Sequence, residues 1–103
     1  MRVLVTGGTG TLGRALVPLL VEAGHDTTVM SRRPGPGDAV ADLVTGDGLA
    51  AAVAGADTVV HLASSPYRRT MAEVEIGGTG RLLAAAAGAG VGHLIYVSIV
   101  AVA

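Results

Sequence analysis

The chain has 103 residues, a formal net charge of −1, a hydrophobic fraction of 50% and only 2% aromatic residues. That length fits one domain, and the apolar content with sparse charge excludes a disordered polymer. The near-neutral balance argues against nucleic-acid and anionic-membrane partners, which call for a basic surplus. Without cysteine there is no disulfide framework, thiol nucleophile or thiolate metal site. The start at Met1-Arg2-Val3-Leu4-Val5 carries no leader pattern, and no run reaches the roughly 18–20 apolar residues of a spanning helix. A small soluble, cytoplasmic domain is expected.

In chain order, Val3-Leu4-Val5 is a short buried strand ending at Thr6-Gly7-Gly8. Leu12, Leu16, Leu19, Leu20 and Ala23 then recur at helical spacing up to Gly24. Pro18 inside that pattern removes one backbone bond and bends the helix. Thr27 to Met30 is a second strand, closed by Ser31-Arg32-Arg33, and Pro34-Gly35-Pro36-Gly37 is a loop. Ala39-Val40-Ala41 is a very short third strand, and Leu49 to Ala54 a short helix ended by Gly55. Thr58 to Leu62 is a fourth strand, broken at Ser64-Ser65-Pro66. A long alanine-rich helix is expected from about Thr70 to Ala87, weakened by Gly77-Gly78. His93 to Ser98 is the last strand.

Continuous apolar strands alternating with helices indicate an α/β fold with a parallel sheet covered on both faces. Right-handed crossovers favour a doubly wound sheet of order 3-2-1-4-5, with the ligand cleft beyond the carboxyl ends of strands 1 and 4. The candidate site residues lie at that edge.

Gly8, Gly10 and Gly13 form G-x-G-x-x-G, while Gly7, Gly10 and Gly13 form the wider G-x-x-G-x-x-G. Between a strand and a helix, such a loop lets bare main chain approach a pyrophosphate. The backbone around Thr9, Thr11 and Leu12 then brings unpaired N–H groups and the helix dipole to the phosphates. The end of strand two reads Met30-Ser31-Arg32-Arg33, without the carboxylate that accepts ribose hydroxyls in NAD-selective domains. A guanidinium there pairs with a 2′-phosphate. Arg32 is the nearer candidate, Arg33 the second, and Ser31 can donate its hydroxyl. NADP is favoured and NAD is the alternative.

Four segments now carry a resemblance: Val5 to Gly13, Ser31 to Pro34, Asp57 to Ala63, and His93 to Ser98. They resemble the short-chain dehydrogenase/reductase superfamily in its extended or atypical branch. The similarity is strongest to NmrA-like NAD(P)-binding proteins and to actinobacterial-type sugar-epimerase-like relatives. The resemblance implies a single Rossmann-like NAD(P)-binding domain over residues 1–103, corresponding to the N-terminal part of the family domain and thus C-terminally incomplete. It implies that an Asp-Leu pair after strand three meets the adenine. Asp42-Leu43 and Asp47-Gly48-Leu49 both qualify, and the spacing to the following helix favours Asp42 and Leu43. It implies that Ala63 and Ser64 line the cofactor loop after strand four, and that Ser98 is an active-site serine bonding a substrate oxygen. His61 is core packing, and no metal site is expected. The Gly78-Thr79 helix motif is ordinarily preceded by an asparagine, where Glu75 stands here.

Family reductases and epimerases use a Tyr-x-x-x-Lys relay. Tyr67 is followed four positions on by Met71 and Tyr96 by Val100, and the sequence contains no lysine. Three functions are compatible with this pattern. One is a dinucleotide-binding module without competent chemistry. Another is an NADPH-dependent reductase of a small carbonyl substrate, completed by further residues or a partner. The third is an interaction module that self-associates through the apolar stretch 94–103.

Overall fold

The computed structural model describes residues 1–7, 11–31, 39–43, 45–62 and 77–97. The first apolar run forms β1 (Arg2–Thr6), in which four of five residues are buried. A strand can bury consecutive side chains this way only when both faces of its sheet are covered. After it come α1 (Thr11–Glu22), β2 (Asp26–Ser31), β3 (Ala39–Val40), α2 (Leu49–Val53), β4 (Thr58–His61), α3 (Thr79–Ala89) and β5 (His93–Tyr96).

The strands make one sheet of order β3-β2-β1-β4-β5, and every neighbouring pair is parallel. This is the doubly wound, Rossmann-like topology expected from the sequence. Val5 stands beside Val29 on one side and Val60 on the other. Side chains in register share a face, and alternate residues point to opposite faces. Val3, Val5, Val60 and Leu62 therefore meet Leu16, Val17 and Leu20 of α1. Leu4, Met30 and Val59 point the other way, onto Leu49 and Val53 of α2 and Leu82 of α3.

Cover is uneven at the β5 end. Ile95 pairs with Val60 and so shares the α1 face, yet it is 51% exposed. Tyr96 and Val97 are exposed beside it.

Several boundaries differ from the sequence expectation. α1 runs through Pro18 to Glu22, because Pro18 is exposed and only one main-chain bond is forfeited there. α3 is described from Thr79 and continues two residues past Ala87, to Ala89. Gly88 stays inside this helix, and residues 70–76 of the expected long helix lie outside the described residues. β5 ends at Tyr96, although the Val97 N–H still donates to the His61 carbonyl at 3.0 Å.

Gly48 enters α2 with φ +78°, and a Cβ there would stand 2.4 Å from the Val40 carbonyl oxygen. Gly48→Ala is thus expected to destabilise the fold by about 2 kcal/mol. Gly88→Ala, a helical site with nothing within 4 Å of an added Cβ, is expected to stabilise it by about 0.5 kcal/mol. Urea unfolding of both variants checks the opposite signs.

Candidate functional site

In a parallel sheet every strand ends at the same edge, so the carboxyl ends of β1, β2, β4 and β5 line one rim. β1 ends at Thr6, and Gly7 follows with φ +73°, a conformation that disfavours any side chain. α1 begins at Thr11, so the strand becomes a helix across four residues, 7 to 10. Gly13 is buried in the first turn of α1, while Leu12 is exposed. The main-chain N–H groups of that first turn have no helical partner. Gly8, Thr9 and Gly10, the middle of the expected loop, lie outside the described residues.

Ser31 closes β2 at the same rim, half-buried, and its carbonyl accepts the Ala41 N–H at 2.9 Å. Arg32 and Arg33 follow outside the described residues. Asp42 and Leu43 follow β3 after Ala41. The Asp42 N–H donates to the Asp47 carbonyl (2.9 Å), and its own carbonyl accepts the Gly46 N–H (2.7 Å), closing a compact loop. Asp42 itself is half-buried, while the Leu43 side chain enters the core. Ala63, Ser64 and Ser98, expected just beyond β4 and β5, lie outside the described residues. What the structure brings together is Gly7, the start of α1, Ser31 and the Asp42–Leu43 loop.

A buried polar chain stands under this rim. The Leu62 N–H is shared between the Thr6 carbonyl (3.0 Å) and the Thr6 hydroxyl (3.2 Å). That hydroxyl is also hydrogen-bonded to Nδ1 of His61, whose Nε2 is 3.1 Å from the Thr79 hydroxyl. An imidazole in its neutral form donates from one nitrogen and accepts at the other. One threonine therefore accepts from the ring and the other donates to it. The Tyr96 ring lies alongside, 5.2 Å between centroids. His61 is fully buried, as its placement within a strand implied. Its partners were not foreseen from the sequence. The available signals were Thr6, set directly before the first glycine, and Thr79, inside the helix motif. Among the described residues no group of three or more His, Asp or Glu side chains could hold a metal ion. Nor, among them, is any helix long and apolar enough to cross a membrane.

A dinucleotide fits this frame. The strand is followed by a left-handed glycine, the next helix starts at the rim with a buried glycine in its first turn, and a polar loop stands beyond β3. Comparison with known proteins points the same way. The model of the NAD dependent epimerase/dehydratase family matches residues 3–103. A 3-beta-hydroxysteroid dehydrogenase of Mycolicibacterium neoaurum is 37% identical over 113 residues, a match taking in 92% of this chain and 31% of that protein. A short-chain dehydrogenase/reductase superfamily protein from Agrobacterium tumefaciens, solved with bound NAD, superposes with TM-score 0.83 at 35% identity. That superposition covers 93% of this chain and 32% of the other. The UDP-N-acetylglucosamine 4-epimerase from Bacillus cereus gives 0.82 at 27% identity, covering 93% and 37%. The chain thus spans about a third of the length of these relatives.

The polar chain has a measurable consequence. Thr79→Val keeps the volume but removes the hydroxyl bonded to the His61 ring, and is expected to cost about 1 kcal/mol in urea unfolding. Thr79→Ser, which keeps the hydroxyl, should cost distinctly less. Equal stability of the valine variant and the parent would show that the hydroxyl contributes nothing.

Proposed function

We propose, for a chain that belongs to the NAD dependent epimerase/dehydratase family, that it binds a nicotinamide dinucleotide along the rim and prefers NADP. The observation that carries this is the turn at the end of β1: a left-handed Gly7, then α1 opening at Thr11 with Gly13 buried. Such a turn offers bare main chain and a helix N-terminus to a pyrophosphate. The NAD held by the Agrobacterium protein supports the cofactor class. Preference for NADP rests on the sequence after β2, where Ser31-Arg32-Arg33 puts guanidinium groups in place of a carboxylate.

In this reading, residues Gly7 to Gly13 hold the pyrophosphate and Arg32 pairs with the 2′-phosphate, assisted by Ser31 and Arg33. Asp42 and Leu43 meet the adenine, and Ala63 and Ser64 admit the ribose. When bound, the nicotinamide supplies a hydride donor or acceptor. Ser98 is the residue assigned to orient a substrate carbonyl. The 103 residues contain no lysine to complete a Tyr-x-x-x-Lys proton relay. This favours nucleotide binding, of the kind NmrA-like proteins perform, over turnover by these residues alone. Reduction of a carbonyl would draw the relay from residues outside this segment or from a partner.

Fluorescence titration tests the cofactor assignment. NADPH is expected to bind more tightly than NADH, and Arg32→Glu to weaken NADPH by roughly ten- to a hundredfold. NADH should be affected far less. An equal loss for both coenzymes would remove Arg32 from the 2′-phosphate, and no binding of either would end the proposal.

A second reading is favoured by one observation: among the described residues β5 is an outer strand of the sheet, with Ile95, Tyr96 and Val97 exposed. An apolar edge strand invites pairing with another chain. Self-association through residues 94–103 is therefore also proposed. Sedimentation velocity should show a concentration-dependent oligomer that Ile95→Lys disperses without changing dinucleotide affinity. A monomer at every concentration would overturn it.

A further inference from the structure

We infer that Arg81 is a positioning residue for the adenine end of the nucleotide site, acting through the loop that carries Asp42 and Leu43. The inference rests on the dinucleotide reading above and adds a residue to it from α3, an element outside the glycine loop and the strand ends. Arg81 sits in the first turn of α3 and is the one charged residue of that helix, whose sequence is TGRLLAAAAGA. Its Nη1 donates to the Leu43 carbonyl at 2.9 Å, across 38 residues of sequence.

The space around the guanidinium is shaped by two glycines. A Cβ on Gly77 would stand 3.0 Å from Nη1, and one on Gly46 would stand 3.5 Å from Cδ. The loop that receives the bond is already closed on itself. Asp42 and Gly46 are joined through main chain, Asp42 also bonds Asp47, and the Asp47 N–H donates to the Thr45 hydroxyl at 3.2 Å. Those bonds set the shape of the loop but not its distance from α3. The buried Leu43 side chain below and the Arg81 bond at its side both bear on that distance. Arg81 is itself exposed, so the bond contributes modestly to overall stability while helping to fix where Asp42 stands.

Recognition of a base edge is sensitive to such placement. A carboxylate is an acceptor only, so it favours the amino group of adenine and repels the carbonyl oxygen that replaces it in hypoxanthine. Discrimination of this kind holds only while the acceptor stays within hydrogen-bond reach of the base. Arginine suits the role because its planar fork is pre-organised; lysine can supply a single donor to the same carbonyl.

The test measures affinities of the whole chain for NADPH and for its hypoxanthine analogue, together with Tm. The parent is expected to favour the adenine form by about tenfold, and Arg81→Met to bring that ratio close to one, with Tm within about 3 °C of the parent. Arg81→Lys should restore part of the ratio. A variant that weakens both nucleotides equally, or one that keeps the parent's ratio, overturns the inference while leaving the dinucleotide reading intact. So does a parent that binds both forms equally well. A parent that binds neither nucleotide overturns that reading, and the role of Arg81 with it.

Discussion

The structure is organised around β1, which pairs with β2 on one side and β4 on the other. A central parallel strand has no free edge and no exposed face, so its position is dictated by both neighbours at once. At its end the chain must leave the sheet, and the buried polar groups there must still be satisfied. The Thr6 hydroxyl meets this constraint by engaging the Leu62 N–H and the His61 ring together. Register follows from the same contact. A slip of β4 by one residue would carry His61 to the α1 face, away from both threonines, and turn Val60 out of its cluster. One polar cluster thus aligns the two strands between which the proposed ligand cleft opens.

α3 connects to that alignment from the other layer. Its first turn carries Thr79, bonded to the His61 ring, and Arg81, bonded to the loop after β3. A single rigid helix therefore reaches both the strand end beside the glycine turn and the loop at the far side of β2. The two proposed halves of the nucleotide site, for pyrophosphate and for adenine, share a common support. The apolar side of α3, with Leu82 fully buried against the sheet, keeps that support from rotating.

Much of this architecture could be read from the chain. The runs Val3-Leu4-Val5 and Val59-Val60 lack the alternation of a half-exposed strand, and the right-handed crossover rule then orders the sheet. The turn from β1 into α1 was legible because a glycine pattern between an apolar run and a helical one marks a sharp change of direction, and Gly7 does take a left-handed conformation there. Local signals fail where partners are far apart in sequence. Nothing around Arg81 points to Leu43, and His61 resembles ordinary core filler until Thr6 and Thr79 are brought to it. Helix limits differ from the sequence expectation for a related reason. Gly88 counts against a helix by propensity, yet in α3 it lies on a face where no neighbour asks for a side chain. Arg32, Arg33, Ala63, Ser64 and Ser98 lie outside the described residues, so their assignments rest on the sequence pattern.

The pairing of β1 with β4 also bears on how the chain reaches this state. Thr6 and His61 are separated by 55 residues, so the middle of the sheet closes only after a long loop has been brought round. Local events such as winding of α1 need no such search and can run ahead of it. Until β4 arrives, one flank of the first strand is an open hydrogen-bonding edge in a chain with a 50% hydrophobic sequence. Slow closure with sticky edges favours misassembly at high concentration. Yield on refolding should therefore depend more on dilution than on final stability.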